Sequence, residues 1–140
     1  MKLDIYYIEG ILKAVEAHPK ARIMQRDLME AIGANKDNEE DVDKFYYHMK
    51  RIEDVSFLDS THYGEGYNDG FGFNFNNLGM SLFSVAEYEL TWHGCEFLDA
   101  MRSETIKEKL TIWFKDMTLE QIKIQTPVLL TRLISQGSLL

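Results

Sequence analysis

YELTWHGCEFLDAM, residues 88–101, packs a tryptophan, a histidine, a cysteine and three carboxylates into fourteen positions. It is either a reactive centre or a joint between a strand and a helix, and the spacing favours the joint. Thr91 suits the N-cap of a helix starting at Trp92, because its hydroxyl can accept from a backbone N–H in the first turn. Gly94 removes a side chain where another backbone can come close. Gly94, Phe97, Leu98 and Met101 then recur at helical steps along one face. His93 and Cys95, two apart on a helix, project in nearly opposed directions and cannot hold one metal ion together. A surface His93 and a half-buried Cys95 are expected. No nucleophile elbow or oxyanion-type motif accompanies the single cysteine, so a protein without enzymatic activity is expected.

Upstream, DIYYIEGILKAVEAHP places Ile5, Ile8, Leu12 and Val15 at three- and four-residue steps, with Asp4 as N-cap and Pro19 beyond the end. After the short ARIM, a second helix runs through Leu28 and Met29 to Gly33, a residue suited to a left-handed stop. EEDVDKFYYHMKRIED forms the third helix, its first-turn acids and late Lys50 and Arg51 both matching the helix dipole. Val42, Phe45, Tyr46, Met49 and Ile52 fall on one side, Lys44, Tyr47, His48 and Arg51 on the other. VSFLDS and FSVAEYEL read as two strands of a long hairpin, separated by a tract containing Gly64, Gly66, Gly70, Gly72 and Gly79. Phe71, Phe73 and Phe75 alternate within that tract, which allows one further short strand.

Helix, short strand, helix, helix, strand, long loop, strand is the order of a winged helix-turn-helix. The expected fold is therefore α+β, with a long Gly/Asn-rich acidic wing and a C-terminal helical extension. YELTWHGCEFL resembles the Tyr-x-Leu-Thr-x-x-Gly-x-x-x-Leu pattern with which the last wing strand turns into the next helix in many bacterial winged-helix regulators. Tyr88, Leu90, Thr91, Gly94 and Leu98 match it. Taken together, YYHMKRIEDV and LTWHGCEFLDAMRSETI are similar to an uncharacterised family of small bacterial and prophage proteins, a domain of unknown function with relatives of the YjcQ type. That resemblance implies a winged-helix core and brings no established activity.

Residues 1–102 are expected to form the winged-helix domain. Residues 103–140 are expected to form an extension that packs on it or makes a dimer seam. Ser103 or Thr105 can cap a new helix whose stripe is Ile106, Leu110, Trp113, Phe114 and Met117, rotated away from the preceding one. A last helix starts at Thr126 and Pro127, with Leu129, Leu130, Leu133 and Ile134 on its apolar side. A homodimer would suit palindromic sites.

The net charge of −8 is unevenly placed. Residues 52–101 carry nine acids and no Lys or Arg, whereas residues 20–51 balance seven against seven. One cysteine makes no internal disulfide, no apolar run approaches a membrane span, and no leader pattern follows MKLD, so a cytoplasmic location is expected. The glycines of GEGYNDGFGFNF lack the strand-to-helix context and lysine of a phosphate loop, and Glu65, Asn68 and Asp69 lack calcium-loop spacing. No metal or cofactor is expected.

Two partners suit these residues. Double-stranded DNA would meet Arg22, Arg26, Lys44, Tyr47, His48, Lys50 and Arg51, with Lys20 and Lys36 nearby; Arg51 or Lys50 would read guanine edges while Arg22 and Arg26 held phosphates. Against this, Glu40, Asp41 and Asp43 make the same helix an ordinary solvated face of mixed charge. A host or phage protein would instead meet the acidic, aromatic wing through Glu65, Tyr67, Asp69, Phe71 and Phe73. Without a nearby cation, those rings lack the electrostatic funnel that single-stranded nucleic acid requires.

Overall fold

A computed structural model describes residues 1–62, 71–76, 79–82 and 86–116, together with positions 124, 128 and 132. Asp4 caps α1 (Ile5–Ala17) by accepting from the amides of Tyr6 and Tyr7 at 3.0 and 3.2 Å. One face of α1 then buries Ile5, Ile8, Ile11, Leu12 and Val15. The two-residue strand β1 (Ile23–Met24) leads directly into α2 (Gln25–Ala31), which stops where Gly33 adopts a φ of 75°. Asn38 caps α3 (Glu39–Asp54), whose core face is Phe45, His48, Met49 and Ile52.

β2 (Leu58–His62) follows, then β3 (Phe73–Asn76), β4 (Gly79–Leu82) and β5 (Ala86–Leu90). The main sheet is antiparallel in the order β1-β5-β2, with Leu58 opposite Leu90 and Ile23 opposite Tyr88. β3 and β4 form a separate two-stranded ribbon within the long connection, with Phe73 opposite Leu82. The expected further strand at Phe73 is thus present, paired to a neighbour rather than to the main sheet. The described residues form an α+β fold of five helices around a three-stranded antiparallel sheet.

The joint at residues 88–101 behaves as its spacing predicts. Thr91 caps α4 (Trp92–Met101) by accepting from the Gly94 amide at 3.0 Å, and its own hydroxyl donates to the Ser56 carbonyl at 2.5 Å. A Cβ on Gly94 would overlap the Phe57 carbonyl oxygen, which already accepts from the Thr91 amide at 3.1 Å. Phe57 stacks on Phe97 with centroids 4.7 Å apart. Phe97 and Leu98 are fully buried, each contributing about 1.5–3 kcal/mol.

Ser103 caps α5 (Glu104–Lys115), so the apolar stripe breaks between α4 and α5. Ile106 and Leu110 join the core, and the Lys107 ammonium meets the nearly buried Glu9 carboxylate of α1 at 3.3 Å. These contacts dock the start of α5 on the body. Of the last expected helix, positions 128 and 132 alone fall among the described residues, and both are exposed. The side chains of Trp113 and Phe114, and residue Met117, lie outside them. Among the described residues, no helix is long and apolar enough to cross a membrane.

Candidate functional site

The basic residues singled out in the sequence divide into three groups. Arg22, just before β1, and Arg26 on α2 are exposed, with loose ion pairs to Glu89 and Asp27, each at 3.8 Å. Arg26 flanks a groove of about 490 Å³ whose opposite side includes Asn35 and the exposed Lys36 of the turn into α3. Exposed pairs of this kind contribute about 0–1 kcal/mol, so these cations remain able to exchange partners.

Lys44 points outward from α3. Its ammonium lies 4.8 Å from the Tyr7 ring centroid and 3.9 Å from an Asp4 carboxylate oxygen. The Tyr7 phenol is pushed up to about 12, first by burial and then by the charges of Asp41 and Asp4. It therefore stays neutral beside Lys44.

Lys50 and Arg51 are engaged by their own helix end. Lys50 meets Glu53 at 2.5 Å, and Arg51 meets Asp54 at 3.0 Å while lying over the Tyr47 ring at 5.1 Å. Both side chains are about one-fifth exposed, at 21% and 20%. The half-buried Tyr47 keeps a buried hydroxyl that has no hydrogen-bond partner among the described residues.

His48 does not share the outward face on which it was expected. It is fully buried, and two backbone groups determine its state. Nδ1 donates to the Lys44 carbonyl at 2.8 Å, while Nε2 accepts from the Asp4 amide at 3.0 Å. One donor and one acceptor describe a neutral imidazole. Burial holds its pKa below the ordinary histidine value; the Lys44 carbonyl and Asp4 oppose that effect, and the charges of Lys44 and Arg51 add to it. The ring packs at 4.5 Å from that of Tyr7, so the residue joins α1 to α3 and does not face a ligand.

The aromatic half of the alternative surface is corrected in the same way. Phe73 is buried between Phe45 and Tyr46, at centroid distances of 5.9 and 5.0 Å, and Phe71 lies against Tyr88 at 5.2 Å. Both rings belong to the core and offer no surface to a partner. Glu65, Tyr67 and Asp69 lie outside the described residues.

A polar cluster that the sequence did not reveal holds this segment down. The Tyr88 hydroxyl donates to the Phe71 carbonyl at 2.6 Å and accepts from the Gln25 side-chain amide at 2.9 Å, and the same Nε2 donates to the Gly72 carbonyl at 2.9 Å. Gln25 is 1% exposed. A single polar residue at the start of a helix carries no pattern that would have singled it out.

Cys95 is exposed, not half-buried, because the outer stripe of α4 runs through Trp92, Cys95 and Asp99 opposite the Phe97 face. His93 is exposed as expected. Among the described residues, no group of three or more His, Cys, Asp or Glu side chains is placed to hold a metal ion. The outer side of α3 also carries exposed Glu39, Glu40 and Asp43 near its start. Comparison of the chain with family models, with curated proteins and with solved structures found no match.

Proposed function

We propose that this chain is a winged-helix protein without enzymatic activity, and that it acts as a small bacterial or phage regulator binding double-stranded DNA. Three helices precede a hairpin whose second strand, β5, lies between β1 and β2, an order compatible with a winged helix.

One observation carries the binding: Arg26 and Lys36 line one groove between α2 and the turn into α3, where Glu30 is the single carboxylate, and exposed Arg22 precedes the same helix. Such cations neutralise phosphates whatever the sequence. The grip then shifts from the late residues of α3 to Arg22, Arg26, Lys36 and Lys44, because Lys50 and Arg51 are held by Glu53 and Asp54.

Fluorescence anisotropy with mixed-sequence duplexes at several salt concentrations tests it. The expected result is binding at about 50 mM salt that weakens steeply by about 200 mM. No binding at the lower concentration sinks the regulator.

Exposed Glu39, Glu40 and Asp43 favour a second reading. In it, the acidic start of α3 and the wing around Glu65, Tyr67 and Asp69 meet the cationic nucleic-acid-binding face of a host or phage protein. This predicts little DNA affinity even at low salt.

A further inference from the structure

We propose that the cleft where the start of α1 meets α3 and α5 binds a small amphipathic anion, one negatively charged head on a short apolar body. The cleft measures about 410 Å³, within the range of roughly 300–1,000 Å³ typical of small-molecule sites. Three lysines from three parts of the chain line it: Lys2 ahead of α1, Lys44 on α3 and Lys115 at the end of α5. One carboxylate, that of Asp4, opposes them, and it is already occupied with the amides of Tyr6 and Tyr7 and with Lys44. A chain of net charge −8 thus has a local excess of positive charge around this concavity, which attracts an anion and disfavours a cation.

The remaining walls set the other half of the ligand. Leu3 and Ile5 supply apolar side chains inside, while Met1 and Tyr6 leave apolar surface at the mouth, 69% and 51% exposed. His48 lies behind the cleft wall, fully buried, with both ring nitrogens already bonded, so it presents the ligand with no free hydrogen-bonding group. An inorganic anion would leave the apolar walls uncovered, and a neutral apolar molecule would leave the lysines unanswered. A head-and-tail anion satisfies both.

Lys44 is common to this cleft and to the proposed DNA grip, so the site is tested without DNA and through Lys2 and Lys115, which that grip does not use. The full chain is titrated with octanoate, octyl phosphate and octanol while backbone amide resonances are followed. Octanoate or octyl phosphate should shift the amides of residues 2–6, 44, 48, 111 and 115 saturably, with a Kd on the order of 1 mM or tighter. Octanol should bind at least about tenfold more weakly. Preference between the two anions identifies the head as carboxylate or phosphate.

Lys2→Glu with Lys115→Glu, both at exposed positions, should weaken the anions by at least about tenfold and leave the melting temperature unchanged. Lys2→Ala with Lys115→Ala repeats the test without added negative charge. Absence of saturable shifts at these amides, equal binding of octanol, or indifference to both pairs of substitutions overturns the site.

Discussion

The amide of Gln25, first residue of α2, and the hydroxyl of Tyr88, in the middle of β5, meet at 2.9 Å in the interior. Through them the base of the long connection is held to the body, since Phe71 and Gly72 present their carbonyls to the same pair. Gly72 permits this at a φ of 101°, where a Cβ would overlap the Tyr88 hydroxyl and come within 2.8 Å of Gln25 Nε2. One buried cluster therefore couples strand, helix and connection.

Tyr88→Phe removes a donor and an acceptor from that cluster, so the Phe71 carbonyl and the Gln25 side-chain amide each lose a hydrogen bond. Stability should fall by about 1–3 kcal/mol in urea denaturation. Gln25→Leu, which takes a donor away from both the Gly72 carbonyl and the Tyr88 hydroxyl, should cost a similar amount. The double variant should cost less than the two singles added, because the groups share partners. Strict additivity would show that the cluster does not act as a unit.

Gly94→Ala tests the close approach of α4 to the Phe57 carbonyl. That carbonyl is fixed by the Thr91 amide at 3.1 Å and cannot retreat alone, so α4 must shift as a body. A loss of about 1–3 kcal/mol is expected. Gly10→Ala, where the added Cβ meets nothing within 4 Å, is the matched control and should not destabilise.

Below the ordinary histidine pKa, the chain should lose stability in a way that traces to His48. The folded pKa is lowered by burial, so as pH falls the unfolded chain takes up the proton first. The His48 contribution is thus complete above about pH 6.5 and declines as pH drops below it, levelling off once the folded state also protonates. Thermal melts between pH 7.5 and 5 should show the decline, and His48→Gln should flatten that part of the profile. An unchanged slope in the variant would assign the decline to other groups.

For DNA, Arg26→Ala combined with Lys36→Ala should reduce the slope of log affinity against log salt by about 2, one for each phosphate that is no longer neutralised. Arg51→Ala should have the smaller effect, since its guanidinium is already committed to Asp54 and the Tyr47 ring. Anisotropy titrations of the parent chain and both variants at matched salt concentrations compare them directly. A dominant Arg51 effect would return the DNA contact to the late part of α3.

Much of the scaffold was legible because it is written in local pattern. Asp4, Thr91 and Ser103 cap where their chemistry predicts, Gly33 stops α2, and Gly94 admits a neighbouring backbone. The candidate surface was less legible, since a helical period separates two sides of α3 without saying what covers each. His48 sits among polar neighbours in sequence, yet the start of α1 covers it and supplies the Asp4 amide as its partner. The alternation of Phe71 and Phe73 predicted one side for both rings and left open whether the body or a protein partner covers them; the tertiary structure gives them to the core.

By itself the amino-acid sequence determined the five described helices, the caps at Asp4, Thr91 and Ser103, the strand-to-helix joint at Thr91 and Gly94, and the concentration of negative charge between residues 52 and 101. Each depends on neighbours within a few positions or on composition alone. Tertiary structure decided which polar groups are spent inside the fold and which face solvent. Gln25 and His48 are buried because partners 44 to 63 residues away satisfy their hydrogen bonds. Lys2, Lys44 and Lys115 line one cleft because helix packing brings together positions that no sequence period relates.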